Sequence, residues 1–113
     1  MKRKYLHIAM FRALDCLYDE LKNPQEILLT FLGDANPYIW ADHSTADPAI
    51  QADFDKSMDK QNIGEEIDES TAYNAVKNFL SEQNIHFAEL FEDISLDEWK
   101  KLCDIVIEEE SQQ

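Results

Sequence analysis

Asp42, His43 and Asp47 set an imidazole between two carboxylates within six positions of the chain. Oxygen and nitrogen donors of these types can ligate zinc or iron once a third strong ligand arrives from elsewhere in the fold. His7 and His86 are the other two imidazoles, and nothing in their chain positions brings them to His43. An isolated Asp-His pair more commonly forms a surface turn in which the Asp side chain bonds the backbone. Ser44 and Thr45 add hydroxyls beside the pair, but no glycine-flanked nucleophile and no glycine-rich oxyanion turn accompanies them. Catalysis is not expected, and neither a metal nor a cofactor is assigned; a small metal-binding or enzymatic protein centred on Asp42, His43 and Asp47 is the alternative reading.

A second set invites a calcium-loop reading. Counted from Asp59, Gly64 falls sixth as such a loop requires, but Ile63 stands fifth and Ser70 twelfth, where ligands belong. With two isolated glycines in the whole chain, a phosphate-cradling loop is also excluded.

Charge is the strongest signal. Ten basic against 24 acidic residues leave a net charge of −14 on 113 residues. Residues 1–40 carry five of each sign, so the whole excess lies in residues 41–113. A chain this acidic repels nucleic-acid backbones and anionic membranes, which excludes both as direct partners. The densest run is Asp53, Asp55, Asp59, Glu65, Glu66, Asp68 and Glu69, relieved by Lys56 and Lys60. If one side of the fold projects this field, it is a docking surface for a basic partner; the alternative is a solvated coat that only aids solubility.

These residues must be positioned by helices. Period-two alternation is nearly absent, and the few Gly and Pro residues fall where helices should start or stop. Leu6, Met10, Ala13, Leu14, Leu17 and Leu21 stripe a first helix from Tyr5 to Leu21. Asn23-Pro24-Gln25-Glu26 reads as a cap opening a second helix, apolar all round and buried, that stops at Gly33. Tyr38, Ile39 and Trp40 follow on a turn, and Ala41 to Ala46 is a loop. Asp47-Pro48 opens a surface helix with Ile50, Phe54 and Met58 on its inner stripe. Residues 65–69 hold too little apolar material to pack, and a hairpin around Asn62-Ile63-Gly64 is the only candidate sheet. Asp68 or Ser70 caps a fourth helix, Asn84 ends it and caps a short fifth, and Ser95-Leu96-Asp97-Glu98 is a capping box for the last. Leu96, Trp99, Leu102, Cys103, Val106 and Ile107 share one face of that last helix, and residues 108–113 form a ragged acidic tail.

The fold expected is all-α, one compact bundle of about five to six short helices in a single domain spanning residues 1–113. The N-terminus lacks the pattern of a signal peptide, and no stretch nears the roughly 18 apolar residues of a membrane span. A cytoplasmic location is expected, with Cys16 and Cys103 as reduced, buried thiols.

Functionally, the expectation is an acidic interaction domain that binds a basic protein, as an immunity protein or an inhibitor of a toxin or nuclease would. Its partner-binding residues would be Asp53, Asp55, Asp59, Glu65, Glu66, Asp68 and Glu69, with Trp40 as a hot spot if it is not a plug for the core. On the first helix, Lys4, His7, Phe11, Asp15, Tyr18 and Lys22 line a second stripe. Phe11 and Tyr18 are buried by a neighbour or, if exposed, form the contact of a homodimer. The chain is thus expected as monomer or homodimer.

Overall fold

The computed structural model describes residues 1–22 and 25–112, and among them are six α-helices and no strand. A 3-10 turn (Arg3–Tyr5) leads into α1 (Leu6–Glu20), followed by α2 (Glu26–Ala35), α3 (Pro48–Lys60), α4 (Glu69–Gln83), α5 (Ile85–Phe91) and α6 (Leu96–Ser111). The expectation of an all-α bundle holds. No helix is long and apolar enough to cross a membrane among the described residues.

α1 is the central element and packs against α2, α4, α5 and α6. Its Leu6, Ala9, Met10, Ala13 and Leu14 are wholly buried, and the two alanines let neighbouring helices approach closely. Around α4, α5 and α6 the core is aromatic. The Tyr73 and Phe91 rings lie 4.9 Å apart and Phe91 meets Trp99 edge-on at 5.4 Å. Trp99 also donates its indole N–H to the Glu69 carbonyl at 2.9 Å, so its polar atom enters the core satisfied. Phe54 joins α3 to this core, packing edge-on against Phe79 at 5.0 Å.

The caps expected at Asp47, Asp68, Asn84 and Ser95 all form, and Ser95 with Glu98 completes the reciprocal capping box. Asn23 and Pro24, the expected cap of α2, lie outside the described residues. Several expectations are corrected. α2 does not stop at Gly33: that residue has no left-handed backbone, and the helix runs to Ala35, where Asn36 leaves helical geometry ahead of Pro37. Nor is α2 buried all round, since Ile27 and Leu29 are half exposed. Cys16 is exposed on α1 while Cys103 is buried, and both are free thiols.

No hairpin forms at Asn62-Ile63-Gly64; Asn62 takes the left-handed turn conformation there. Residues 65–67 instead pair with the N-terminus through an antiparallel bridge between Lys2 and Glu66. Arg3 N–H donates to the Glu65 carbonyl at 2.8 Å and Ile67 N–H to that of Met1 at 2.9 Å. This pairing buries Ile67, so the segment does pack. The acidic tail is helical through Ser111, because nothing between Ile107 and Ser111 breaks a helix and Glu is a good helix former.

Candidate functional site

The connection from α2 to α3 is a closed loop. Its ends are clasped where Ala46 N–H donates to the Asn36 carbonyl at 2.9 Å and Asp47 N–H to that of Asp34 at 2.8 Å. Compact loops whose ends meet in this way are frequently functional. Inside, His43 N–H donates to the Trp40 carbonyl at 3.1 Å, and the Trp40 indole N–H reaches the Ala46 carbonyl at 3.1 Å. Thr45, wholly buried, donates its hydroxyl to the Asp47 carbonyl at 2.6 Å.

His43 is the point where two helices, α1 and α6, meet this loop. It holds a left-handed backbone, φ 59°, which costs a non-glycine residue about 1 kcal/mol and persists only where contacts enforce it. Its carbonyl accepts a 2.7 Å hydrogen bond from His7 Nε2 on α1, which assigns the proton of a neutral His7 to Nε2. Its Nδ1 donates to Glu110 Oε1, in the last turn of α6, at 2.6 Å. The Tyr38 ring packs edge-on against His43 at 5.7 Å and against Phe11 at 6.0 Å. Arg12 spans the same region, pairing with Glu109 at 2.7 Å and donating to the Tyr38 hydroxyl at 3.4 Å. Those two bonds, Tyr38 first, raise the pKa of the guanidinium further above its ordinary value. Burial lowers the pKa of His7, because an imidazolium there would lose its hydration.

Held in this way, the loop leaves three consecutive large side chains in solvent: Tyr38 is 46%, Ile39 59% and Trp40 52% exposed. Trp40 is therefore no core plug. Within the loop it is Pro37 and Thr45 that are buried. Phe11 is buried, so the stripe of Phe11 and Tyr18 is not an exposed aromatic pair.

The chemistry suggested by Asp42, His43 and Asp47 does not converge on one point. Asp42 accepts from the Ser44 hydroxyl at 2.7 Å and its amide at 3.0 Å, bonds that hold its carboxyl below the usual range. Asp47 accepts from Ala49 N–H as the cap of α3. His43 turns to Glu110 instead. Among the described residues no group of three His, Cys, Asp or Glu side chains is arranged to hold a metal ion.

The acidic run is less uniform in space than in sequence. Asp55, Glu65 and Glu66 line a cleft of about 700 Å3 with Lys2, Arg3, Lys4 and His7, and the loop contributes Asp42 and Ser44 to the same walls. Charges separated along the chain are thus brought together, because the bridge of Lys2 to Glu66 lays the basic N-terminus on the acidic segment. Arg3 donates to Asp59 Oδ1 at 2.8 Å and to the carbonyls of Ile63 and Asp55 at 2.9 Å each. Asp53 accepts from Gln83 at 3.4 Å on the side facing α4. Asp68 is the cap of α4, held by Thr71, and Glu69 shares a hydrogen bond with Asp104, burial first and that bond second raising its pKa. Of the seven carboxylates, Asp59 alone pairs with a basic side chain among the described residues, and Asp53, Asp55, Glu65, Glu66 and Asp68 are exposed.

The residues that sequence reasoning missed are His7, Arg12, Glu109 and Glu110. Their signal was a pair of carboxylates in register with the end of a continuing helix, which only the packing of α6 on α1 converts into a contact with the loop. Comparison with protein-family models, curated proteins and solved structures finds no match for this chain.

Proposed function

We propose that this protein is an acidic interaction domain that binds a basic protein through the 36–46 loop and the adjoining acidic edge. The observation that carries the reading is the exposure of Tyr38, Ile39 and Trp40 on a loop fixed by hydrogen bonds at its neck and by His43 at its base. Exposed aromatics on a preorganised support lose little conformational freedom on binding, and Trp and Tyr are the side chains that most often anchor interfaces. Asp42 and Ser44 place the loop on the cleft it shares with Asp55, Glu65 and Glu66; Lys2, Arg3 and Lys4 on the same walls offset these carboxylates, so the steering field is that of the whole chain's net charge of −14. The field steers a basic partner and the loop supplies the contact that retains it. Occupying a basic surface in this way suits an immunity protein or an inhibitor of a toxin or nuclease. We assign no catalytic step, since Asp42 and Ser44 bond each other and Asp47 caps a helix.

Capture from lysate of the source organism tests this with three baits: wild type, Trp40→Ala, and the quadruple reversal of Asp53, Asp55, Glu65 and Glu66 to Lys. A basic protein held by the wild type at low salt, released at high salt and lost from both variants is expected. Identical capture by all three baits would overturn the reading.

A further inference from the structure

We propose that the last turn of α6 is a latch for the 36–46 loop: Glu110, through His43, holds Tyr38, Ile39 and Trp40 in their displayed arrangement. The consequence for binding rests on the function proposed above, but the latch itself does not.

The loop and α6 are far apart in sequence and meet through a hydrogen bond. His43 Nδ1 and Glu110 Oε1 lie 2.6 Å apart, with the Glu110 side chain 10% and the His43 side chain 19% exposed, so water competes poorly for the bond. The neighbouring pair of Arg12 with Glu109, at 2.7 Å, adds a second tie between α1 and the same turn, and Arg12 reaches on to the Tyr38 hydroxyl. Of two adjacent carboxylates of one helical turn, Glu110 thus bonds His43 directly and Glu109 bonds Arg12, which donates to Tyr38, and the His43 and Tyr38 rings pack on each other inside the loop.

The left-handed backbone of His43 makes the tie consequential. That conformation is unfavourable for a residue with a side chain and is stabilised here by what its two ends touch: the carbonyl on His7 and the ring on Glu110. Release of the ring leaves the backbone free to leave the left-handed region. The His43 amide, which closes the turn on the Trp40 carbonyl, would move with it and take Trp40 out of register. Glu110 is thus a positioning residue. It need not touch a partner to control how the apolar anchor is displayed.

Amide hydrogen exchange on the intact protein tests the latch without a partner. In Glu110→Ala the amides of His43 and Ala46 should exchange at least tenfold faster while those of Val76 and Leu80 in α4 keep their wild-type rates. Glu110→Gln, which retains an oxygen to accept from His43, should restore most of the protection. Unchanged loop exchange in Glu110→Ala would overturn the latch, and so would equal acceleration in loop and α4, since Glu110 would then secure the whole bundle. If the loop loosens as expected but the protein captures no basic partner, the latch stands and the binding function fails.

Discussion

Trp99 and Trp40 are the chain's two tryptophans, and the fold uses them in opposite ways. Both indole N–H groups donate to a backbone carbonyl, that of Glu69 for Trp99 and that of Ala46 for Trp40. Trp99 is wholly buried among Tyr73, Phe91 and the helices that carry them, and its surroundings are close-packed side chains. Trp40 stands in solvent on a loop whose order comes from hydrogen bonds and ion pairs. Apolar burial secures the first region and polar geometry the second. A large aromatic held in place without being buried contributes little to folding, and that is the ground on which the partner was proposed above.

The largest effect should come from the packed region. Trp99→Ala removes an indole from a site with no solvent to fill the gap and should cost about 3 to 5 kcal/mol, read as the shift in unfolding free energy by urea titration. A loss below about 1 kcal/mol would mean that the two tryptophans differ less than their burial implies.

The polar region should show itself next, through pH. His7 has its pKa lowered by burial, so the unfolded chain binds a proton more readily than the folded one. Stability contributed by keeping His7 neutral is complete above the ordinary histidine value of 6.5 and is lost as pH falls from there toward the folded pKa. One proton limits this slope to about 1.4 kcal/mol per pH unit. Urea midpoints at pH 7.5 and 5.5 should fall further in the wild type than in His7→Gln, where only the other groups titrate. Equal falls in the two proteins would remove His7 as the pH-sensitive support of the loop.

A smaller effect is expected where the loop hands over to α3. The Asp47 carboxylate accepts from Ala49 N–H at 2.9 Å, and Asp47→Ala should cost about 1 kcal/mol in thermal or urea unfolding as the first turn loses its cap. An unchanged midpoint would show that Pro48 and the neck hydrogen bonds suffice to start the helix.

How legible each region was in the sequence follows from the same contrast. Helical periodicity and capping pairs mark local structure, and they placed Trp99, Phe54 and the caps at Asp47, Asp68, Asn84 and Ser95. The loop has no period, and its order comes from residues distant in the chain: His7, Arg12, Glu109 and Glu110. A carboxylate on a helix is read locally as a solvated charge; only the packing of α6 on α1 makes Glu110 a partner for His43. The acidic run was legible as composition but not as a surface. Its partial neutralisation by Arg3 depends on a bridge between residues 2 and 66 that no local pattern announces.

The smallest effect on folding should come from Trp40, and its smallness is what the comparison requires. Trp40→Ala deletes one hydrogen bond, to an Ala46 carbonyl that water can reach, and an indole already half in solvent. The loss should stay below about 1 kcal/mol, because the exposed ring had little hydration to shed on folding. The neck bonds from Ala46 and Asp47 do not involve the indole and should survive, so amide exchange at those two positions should match the wild type. A cost above about 2 kcal/mol would make Trp40 a structural member of the loop, and its exposure would no longer argue for a partner. With stability and loop order both preserved, any loss of capture by this variant reports on the interface alone.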